Sequence, residues 1–328
     1  MSSKPQIKAK RANGLLHALM RQRWFWLVIA LALMSAMPAF VGMSWVSLFC
    51  EILILAVAAS ALNLLIGYTG MISFGPAGLY AVGAYTTAVL IVIADMPFGL
   101  AMIAGPLVAA VVSLIIGWFC VRRTAVYFAL LTLAFSQLIH TIIFKWYGLT
   151  GGDDGMVDIV VPGFLSSMDS YYYFALVCTA LCLLAMYIIV NSAFGKALLV
   201  IRENPGRAEF IGINVRRYQL MAFIMQGFFL GFAGSLQCGF LCNVFPPIAN
   251  WTKSIEIIIS CLLGGMYHFL GPFVGAAVYM LLEKVVMGFT ESWSLVLGLV
   301  VIFLVLFFRG GIAGFVSDKM QAARREAI

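Results

Sequence analysis

The chain has 328 residues, of which 63% are apolar and only 10% are charged, and its net charge is +7. A soluble domain carries about 25% charged residues, and this much apolar surface would leave large exposed patches on a soluble fold. The composition therefore excludes an ordinary soluble enzyme, and its high hydropathy excludes a disordered chain. Because the apolar residues form long unbroken runs, an all-α polytopic membrane protein is predicted in preference to a β-barrel.

About ten transmembrane or re-entrant helices are predicted, since one span needs about 20 residues. The basic residues 1–23 are predicted to form a cytoplasmic N-terminal tail, and 309–328 a cytoplasmic C-terminal tail, around a transmembrane domain at 24–308. The apolar runs lie at about 24–42, 48–66, 79–94, 98–121, 125–146, 171–190, 218–241, 254–268, 272–288 and 292–308. The runs at 79–94 and 254–268 are short for a full crossing, which indicates broken or re-entrant helices.

The Lys and Arg residues predict the orientation. With a cytoplasmic N-terminus and ten crossings, 17 of the 20 Lys and Arg residues fall on the cytoplasmic side. They are shared among the N-terminal tail, Arg122 and Arg123, the loop 191–217 and the C-terminal tail. Cytoplasmic loops of membrane proteins are enriched in these residues, so both termini are predicted inside. The positive charge is thus interpreted as a marker of orientation and not of a nucleic-acid partner.

Two glycine-rich breaks resemble each other. Residues 70–76 read Gly-Met-Ile-Ser-Phe-Gly-Pro, and residues 265–272 read Gly-Met-Tyr-His-Phe-Leu-Gly-Pro. Their offset of 195 residues predicts two related halves, at about 48–146 and 218–308. Glycine permits positive φ and proline interrupts a helix, so 67–78 and 264–275 are candidates for lining a transport pathway. Tight helix packing is the alternative, and the two interpretations are compatible.

Polar residues are few within the apolar runs. Thr132, Ser136 and His140 recur every four residues and share one helix face. They are interpreted either as the wall of a pathway or as partners in interhelical hydrogen bonds, and the second interpretation is favoured. The acidic residues of the runs lie near span ends, where they are expected at the interface: Glu51, Glu256 and Glu283.

No catalytic or metal-binding pattern is present in the sequence. The chain has no GxxxxGK[ST] phosphate-binding loop and therefore cannot bind ATP by that route. Its seven cysteines lie mostly in apolar runs without His or acidic residues at metal-ligand spacing, so they are expected to be small buried residues. We predict neither an enzymatic site nor a metal site.

The loop 191–217 is the largest cytoplasmic segment. It is too apolar for a solvated linker, and it predicts one short amphipathic helix at about 205–211. Asn204 is a plausible N-cap, Pro205 suits the first position and Gly212 can end the helix. Such a helix can lie on lipid headgroups or dock into the groove of a partner.

Four stretches resemble the LivM type of permease, the membrane subunit of ABC importers for branched-chain amino acids (the LivH/LivM family). They are Asn63–Tyr85, Leu149–Met156, Phe194–Phe223 and Ser254–Glu283. The resemblance implies a multi-pass protein of the bacterial inner (plasma) membrane that moves branched-chain or related small amino acids. Related permeases handle urea, amides and aromatic acids on the same scaffold. The residues alone also leave open a secondary transporter or channel for a small polar solute such as urea or an amide.

The resemblance further implies a set of partners. Besides membrane lipid, they are a second, LivH-type permease, two ATP-binding subunits that carry ATP and Mg, and a periplasmic substrate-binding protein. The chain itself is expected to bind no cofactor. The residues that would couple it to the ATPase are Arg202, Glu203, Asn204, Pro205, Arg207, Ala208, Glu209, Gly212 and Ile213. The residues assigned to the substrate pathway are Asn63, Gly67, Tyr68, Gly70, Ser73, Gly75, Pro76, Gly264, Gly265, His268, Gly271 and Pro272.

Overall fold

The computed structural model describes residues 42–122 and 125–289, together with positions 295, 296, 298, 299, 302 and 311. The predicted N-terminal tail lies outside the described residues, as do residues 24–41 of the first span at 24–42 and most of the last span at 292–308 and of the C-terminal tail. Over the described residues the regular structure is helical, apart from one antiparallel β-bridge. The all-α prediction is confirmed for this part of the chain.

Eleven α-helices are present in the described residues. They are α1 Met43–Thr69, α2 Pro76–Val92, α3 Phe98–Cys120, α4 Ala125–Lys145, α5 Tyr147–Thr150, α6 Met168–Asn191, α7 Ala193–Glu203, α8 Pro205–Phe210, α9 Val215–Leu241, α10 Trp251–Gly264 and α11 Gly271–Met287. Three 3-10 turns lie at Gly152–Asp154, Gly163–Leu165 and Pro246–Ala249. The eight apolar runs predicted between 48 and 288 all form helices.

Five of these helices are long and apolar enough to cross a membrane: α1, α3, α4, α6 and α9. The helices beside the glycine-rich breaks are shorter, with 17 residues in α2, 14 in α10 and 17 in α11. At a rise of about 1.5 Å per residue, a helix of this kind reaches about 21–26 Å, which is less than the hydrocarbon core of about 30 Å. The predicted shortness of the runs beside the breaks is confirmed.

The most deeply buried long helix is α1. In its most apolar window 89% of the residues are buried, against 28% for α4 and for α6. The sequence of α1 is apolar on all sides, as expected for a helix surrounded by protein. The apolar outer faces of α4 and α6 are therefore available to lipid or to another membrane subunit.

Small residues bring α2, α3 and α9 into close contact. A Cβ atom on Gly83 would overlap the backbone of Gly231, and one on Gly227 would overlap the side chain of Ser113. Gly227 and Gly231 have the four-residue spacing that is typical of closely packed membrane helices. Buried hydroxyls join the same helices, because Thr87 donates a hydrogen bond of 2.8 Å to Ser235.

The loop between α4 and α6 folds onto the segment that follows α9. Met156 and Val244 exchange two backbone hydrogen bonds of 2.8 Å. Within this loop the Tyr147 hydroxyl donates a hydrogen bond of 2.6 Å to Asp153, and this bond is the main reason that the pKa of Tyr147 is raised. The loop therefore covers the end of the structure at which α10 begins.

Candidate functional site

The two glycine-rich breaks share a backbone pattern. Helix α1 ends before Gly70, whose φ is 74°, and α10 ends before Gly265, whose φ is 103°. The helix after each break carries a proline in its first turn, Pro76 in α2 and Pro272 in α11. The predicted interruption of the helices is present at both breaks, each with a glycine at positive φ, and the proline lies at the start of the helix that follows.

The two breaks are in direct contact. Gly67 in the last turns of α1 lies against the backbone carbonyl of Met266 in the second break. One turn earlier, the Asn63 side-chain oxygen is 3.8 Å from the Cys261 sulfur on α10. Segments 195 residues apart in sequence thus form one site.

Arg202, in the last turn of α7, touches both breaks. Its guanidinium donates a hydrogen bond to the backbone carbonyl of Gly67. The guanidinium carbon also lies 4.7 Å from the centre of the Tyr267 ring in the second break. Its aliphatic part covers Gly70, where a Cβ atom would be 3.2 Å from the Arg202 Cγ. A residue predicted to contact a partner subunit is therefore half-buried against the breaks.

The first break is neither helix nor strand, and hydroxyl groups of α4 hold it in place. Thr132 accepts a hydrogen bond of 3.2 Å from the Phe74 N–H, and Ser136 accepts one of 3.0 Å from the Gly78 N–H. These bonds satisfy donors that the start of α2 would otherwise leave unpaired. The interhelical hydrogen bond favoured for Ser136 is confirmed, whereas Thr132 bonds to the non-helical part of the break. His140, on the same face, stacks against Phe144 at a ring distance of 6.2 Å.

Ser254 is a further residue of this site that sequence reasoning missed. It lies in the first turn of α10 and accepts a hydrogen bond of 3.1 Å from the Ala77 N–H of α2. The bond joins the helix that follows the first break to the helix that precedes the second. The sequence contains no local signal for it, since the two residues are 177 positions apart.

Most predicted pathway residues form the interior of the breaks. Gly75 lies against the Thr132 carbonyl, and Gly264 lies against the Gly271 carbonyl. Of the twelve predicted residues, Tyr68 and His268 are half-buried and Gly70 is exposed. The buried ones are Asn63, Gly67, Ser73, Gly75, Pro76, Gly264, Gly265, Gly271 and Pro272. Tight packing is therefore confirmed, and the open face of the first break consists of Gly70, Ile72 and Phe74.

The coupling segment differs from its prediction in one respect. It was predicted as one short helix, but residues 193–203 also form a helix, α7, before α8 begins. Ser192 caps α7 by accepting a hydrogen bond from the Gly195 N–H, and Leu198 and Ile201 are buried on one face. Proline disfavours a helical conformation at the residue before it, so Asn204 is extended and separates α7 from α8. Arg202 and Glu203 therefore do not belong to the helix that carries Arg207 and Glu209.

The predicted limits of α8 are confirmed. The Asn204 side chain accepts a hydrogen bond of 3.1 Å from the Arg207 N–H, and Pro205 lies in the first turn. Gly212, with a φ of 86°, turns the chain after the helix. Ala208 is completely buried and anchors the helix, whereas Phe210 is 93% exposed and Ile211 is 68% exposed. The remaining coupling residues are exposed or, for Ile213, half-buried: Glu203, Asn204, Pro205, Arg207, Glu209, Gly212 and Ile213.

A cavity lies at the opposite end of α10 from Arg202. It measures ≈ 390 Å³ and is bounded by the end of α9, the segment 243–248, the first turns of α10 and the last turns of α11. Lys253 and Glu256 of α10 line it and form an ion pair of 2.7 Å. Sequence reasoning missed this cavity, although the three-residue spacing of Lys253 and Glu256 places both on one helix face.

Within the described part of the chain, no three His, Cys, Asp or Glu residues are arranged to hold a metal ion. The seven cysteines all fall in this part, and each is a free thiol. Six are buried and Cys242 is partly exposed. The interpretation of the cysteines as small buried residues is confirmed for those six.

Helices that break and meet within an apolar bundle are typical of membrane transport proteins. Comparison with known families identifies the kind of transport protein. The family described as the permease component of branched-chain amino acid transport systems matches residues 44–307. The chain belongs to this family. It is thus a transmembrane permease subunit of an ABC importer in the inner membrane, and not the secondary transporter or channel considered as the alternative.

Individual relatives agree with this assignment. The branched-chain amino acid permease LivM of Escherichia coli K12 is 25% identical, over 85% of this chain and 72% of the relative. LivM of Salmonella typhimurium LT2 is 23% identical, over 94% of this chain and 78% of the relative. The guanosine ABC transporter permease NupQ of Bacillus subtilis 168 is 24% identical, over 72% of this chain and 76% of the relative. No solved structure gives a significant match.

Proposed function

We propose that this permease imports branched-chain or related small amino acids along a path that it forms with a second, LivH-type permease. The family description and the two LivM relatives support this substrate class. The guanosine permease covers less of the chain, 72% against 85% and 94%. A periplasmic binding protein delivers the substrate, and two partner subunits bind and hydrolyse ATP with Mg.

We further propose ten spans in two related halves, with both termini in the cytoplasm. The distribution of Lys and Arg supports this orientation. The shared backbone pattern of the breaks at Gly70 and Gly265 supports the repeat. In this arrangement α8 lies on the cytoplasmic side, and the cavity at Lys253 lies toward the periplasm.

The observation that carries the proposed mechanism is the placement of Arg202 immediately before α8. Helix α8 is anchored by Ala208 and presents Phe210 and Ile211 to the outside, as a helix that docks into the groove of an ATPase subunit would. Arg202, three residues before Pro205, holds Gly67 and Tyr267 together. Movement of α8 on nucleotide binding is therefore transmitted through Arg202 to the two breaks, beside which the substrate path runs.

The path is proposed to follow the open face of the first break. Gly70, Ile72 and Phe74 are exposed, while the intervening Met71 and Ser73 are buried, as expected for an extended segment with one free face. This face is available to the second permease, so the substrate would pass between the two subunits. Separation of the breaks requires Arg202 to release Gly67 or Tyr267.

Reconstitution of the complete transporter in proteoliposomes tests this function. We expect uptake of radiolabelled L-leucine that requires ATP and the binding protein and is not inhibited by guanosine or galactose. Phe210→Asp should remove the ATPase subunits on purification, whereas Phe164→Asp, a control residue that is 74% exposed in the loop before α6, should retain them. Leucine uptake driven by an ion gradient without ATP would overturn the proposal.

A further inference from the structure

We infer that the cavity at the first turns of α10 is a binding site for the zwitterionic part of an amino acid. This inference rests on the proposed function and locates part of the substrate path in this chain. The α-carboxylate of the substrate would pair with Lys253, and its α-ammonium would pair with Glu256 and Glu283. All three side chains line the cavity.

Lys253 and Glu256 can each exchange the other for a charged group of the substrate. Its two side chains are only 19% and 17% exposed, so both charges are largely removed from water, which is costly unless the pair stays intact or each charge gains a new partner. A zwitterion supplies one charge of each sign. It can therefore insert between Lys253 and Glu256 without leaving either charge unpaired, whereas an amine or a carboxylic acid alone cannot.

A second acid gives the site its preference for an ammonium group. Glu283 lines the cavity from α11, so the cavity carries two carboxylates and one ammonium. Once Lys253 has paired with the substrate carboxylate, both carboxylates are available to the substrate ammonium. The two carboxylates offer four oxygen atoms to the three N–H donors of the ammonium.

The rest of the lining suits a small apolar side chain. Leu241, Val244, Phe245 and Ile248 supply apolar surface beside the charged groups. The volume of ≈ 390 Å³ is at the lower end of the range for small-molecule sites. The combination of three ionisable side chains with apolar side chains in one cavity matches an amino acid of the leucine type.

The cavity is also connected to the breaks. Tyr80 of α2 donates a hydrogen bond of 3.0 Å to Gln237 in the cavity wall, and its ring centre lies 5.8 Å from the Lys253 ammonium. Ser254, next to Lys253, holds the start of α2. Because α10 runs from Lys253 to the break at Gly265, a ligand at Lys253 acts on a helix whose other end contacts the Arg202 site.

Protection of an introduced thiol tests the site directly. Thr252→Cys places a thiol at the cavity, and the complete transporter in nanodiscs is modified with a membrane-impermeant methanethiosulfonate in the absence and presence of L-leucine. We expect leucine to slow the modification at least threefold, whereas 3-methylbutylamine and 4-methylpentanoate at equal concentration should not. Ser166→Cys, exposed in the loop before α6, is the matched control and should not be protected. The unsubstituted transporter supplies the background from its native cysteines.

Charge variants in the Thr252→Cys protein complete the test. Lys253→Met and Glu256→Gln should abolish protection, and the control substitutions Lys145→Met and Asp154→Asn, both at exposed residues, should preserve it. An unchanged modification rate with leucine, in a transporter that imports leucine, would overturn the cavity site and leave the proposed function intact. If 3-methylbutylamine or 4-methylpentanoate protected the thiol as well as L-leucine does, recognition of the zwitterion would be overturned. Failure of the complete transporter to import leucine would instead contradict the proposed function.

Discussion

The guanidinium of Arg202 donates a hydrogen bond to the backbone carbonyl of Gly67, across 135 residues of sequence. Gly67 lies two residues before the end of α1, and Arg202 lies one residue before the end of α7. The same guanidinium covers the ring of Tyr267 in the second break. One side chain thus joins the segment that carries α8 to both points at which the membrane helices are interrupted.

Replacement of Arg202 by Met should weaken this junction without unfolding the protein. A hydrogen bond from a charged donor contributes about 1.5–3 kcal/mol, and a cation over an aromatic ring about 0.5–2 kcal/mol. We expect leucine transport to fall at least tenfold while the ATPase subunits still co-purify. Arg216→Met, at an exposed arginine in the first turn of α9, is the control. Normal transport by the Arg202 variant would contradict its assigned role.

Charge reversal on α8 should disrupt the contact with the ATPase. Arg207→Glu and Glu209→Lys change two exposed residues that make no described contact with the membrane helices, so folding should be retained. We expect transport to be lost and the ATPase subunits to dissociate in gel filtration. The thermal stability of the purified permease should stay unchanged, and intact transport in both variants would exclude α8 as the coupling helix.

Gly83 is a position where a single methyl group should destabilise the bundle. Its Cβ atom would overlap the Gly231 backbone, and overpacking of this kind costs about 1–3 kcal/mol. Gly83→Ala should therefore lower the thermal unfolding midpoint in detergent. Gly99→Ala, in the first turn of α3 with nothing within 4 Å of the added atom, should not. Equal midpoints for the two variants would show that α2 and α9 are not in close contact.

Tyr147 should ionise at a higher pH than a tyrosine whose hydroxyl has no carboxylate partner. Its hydrogen bond to Asp153 raises its pKa, so the stabilisation from this bond is complete below the tyrosine pKa of about 10 in the unfolded state. It is lost as the pH rises through the higher pKa of the folded state. Asp153→Asn should lower the pKa of Tyr147, measured as a difference in tyrosinate absorbance. An unchanged titration would show that the bond does not form.

The sequence was sufficient to predict the helices, caps and breaks that neighbouring residues determine. The apolar runs predicted the helices, and Asn204, Pro205 and Gly212 predicted the limits of α8, because caps and breakers act on neighbouring residues. Gly70 and Gly265 were predictable as breaks for the same reason. Helix α7 was missed because its apolar residues were attributed to a loop. The burial of Leu198 and Ile201 on one face shows that they are helix contacts.

The tertiary partners were not predictable from a single sequence. Ser254 and Ala77, or Arg202 and Gly67, are brought together by helix packing, and no spacing rule connects residues so far apart. The cavity at Lys253 and Glu256 was missed for a related reason. Each residue was consistent with an interfacial position, and only the approach of α11 and the segment 243–248 turns that surface into a cavity.

Movement of α8 is proposed to reach the breaks through Arg202. Its most direct test is the rate of thiol modification at Ile72→Cys, a position that is 46% exposed in the first break, in the complete transporter with and without ATP. We predict that ATP changes this rate several-fold when Arg202 is present and leaves it unchanged in the Arg202→Met background. An equal effect of ATP on the modification rate in both backgrounds would contradict transmission through Arg202.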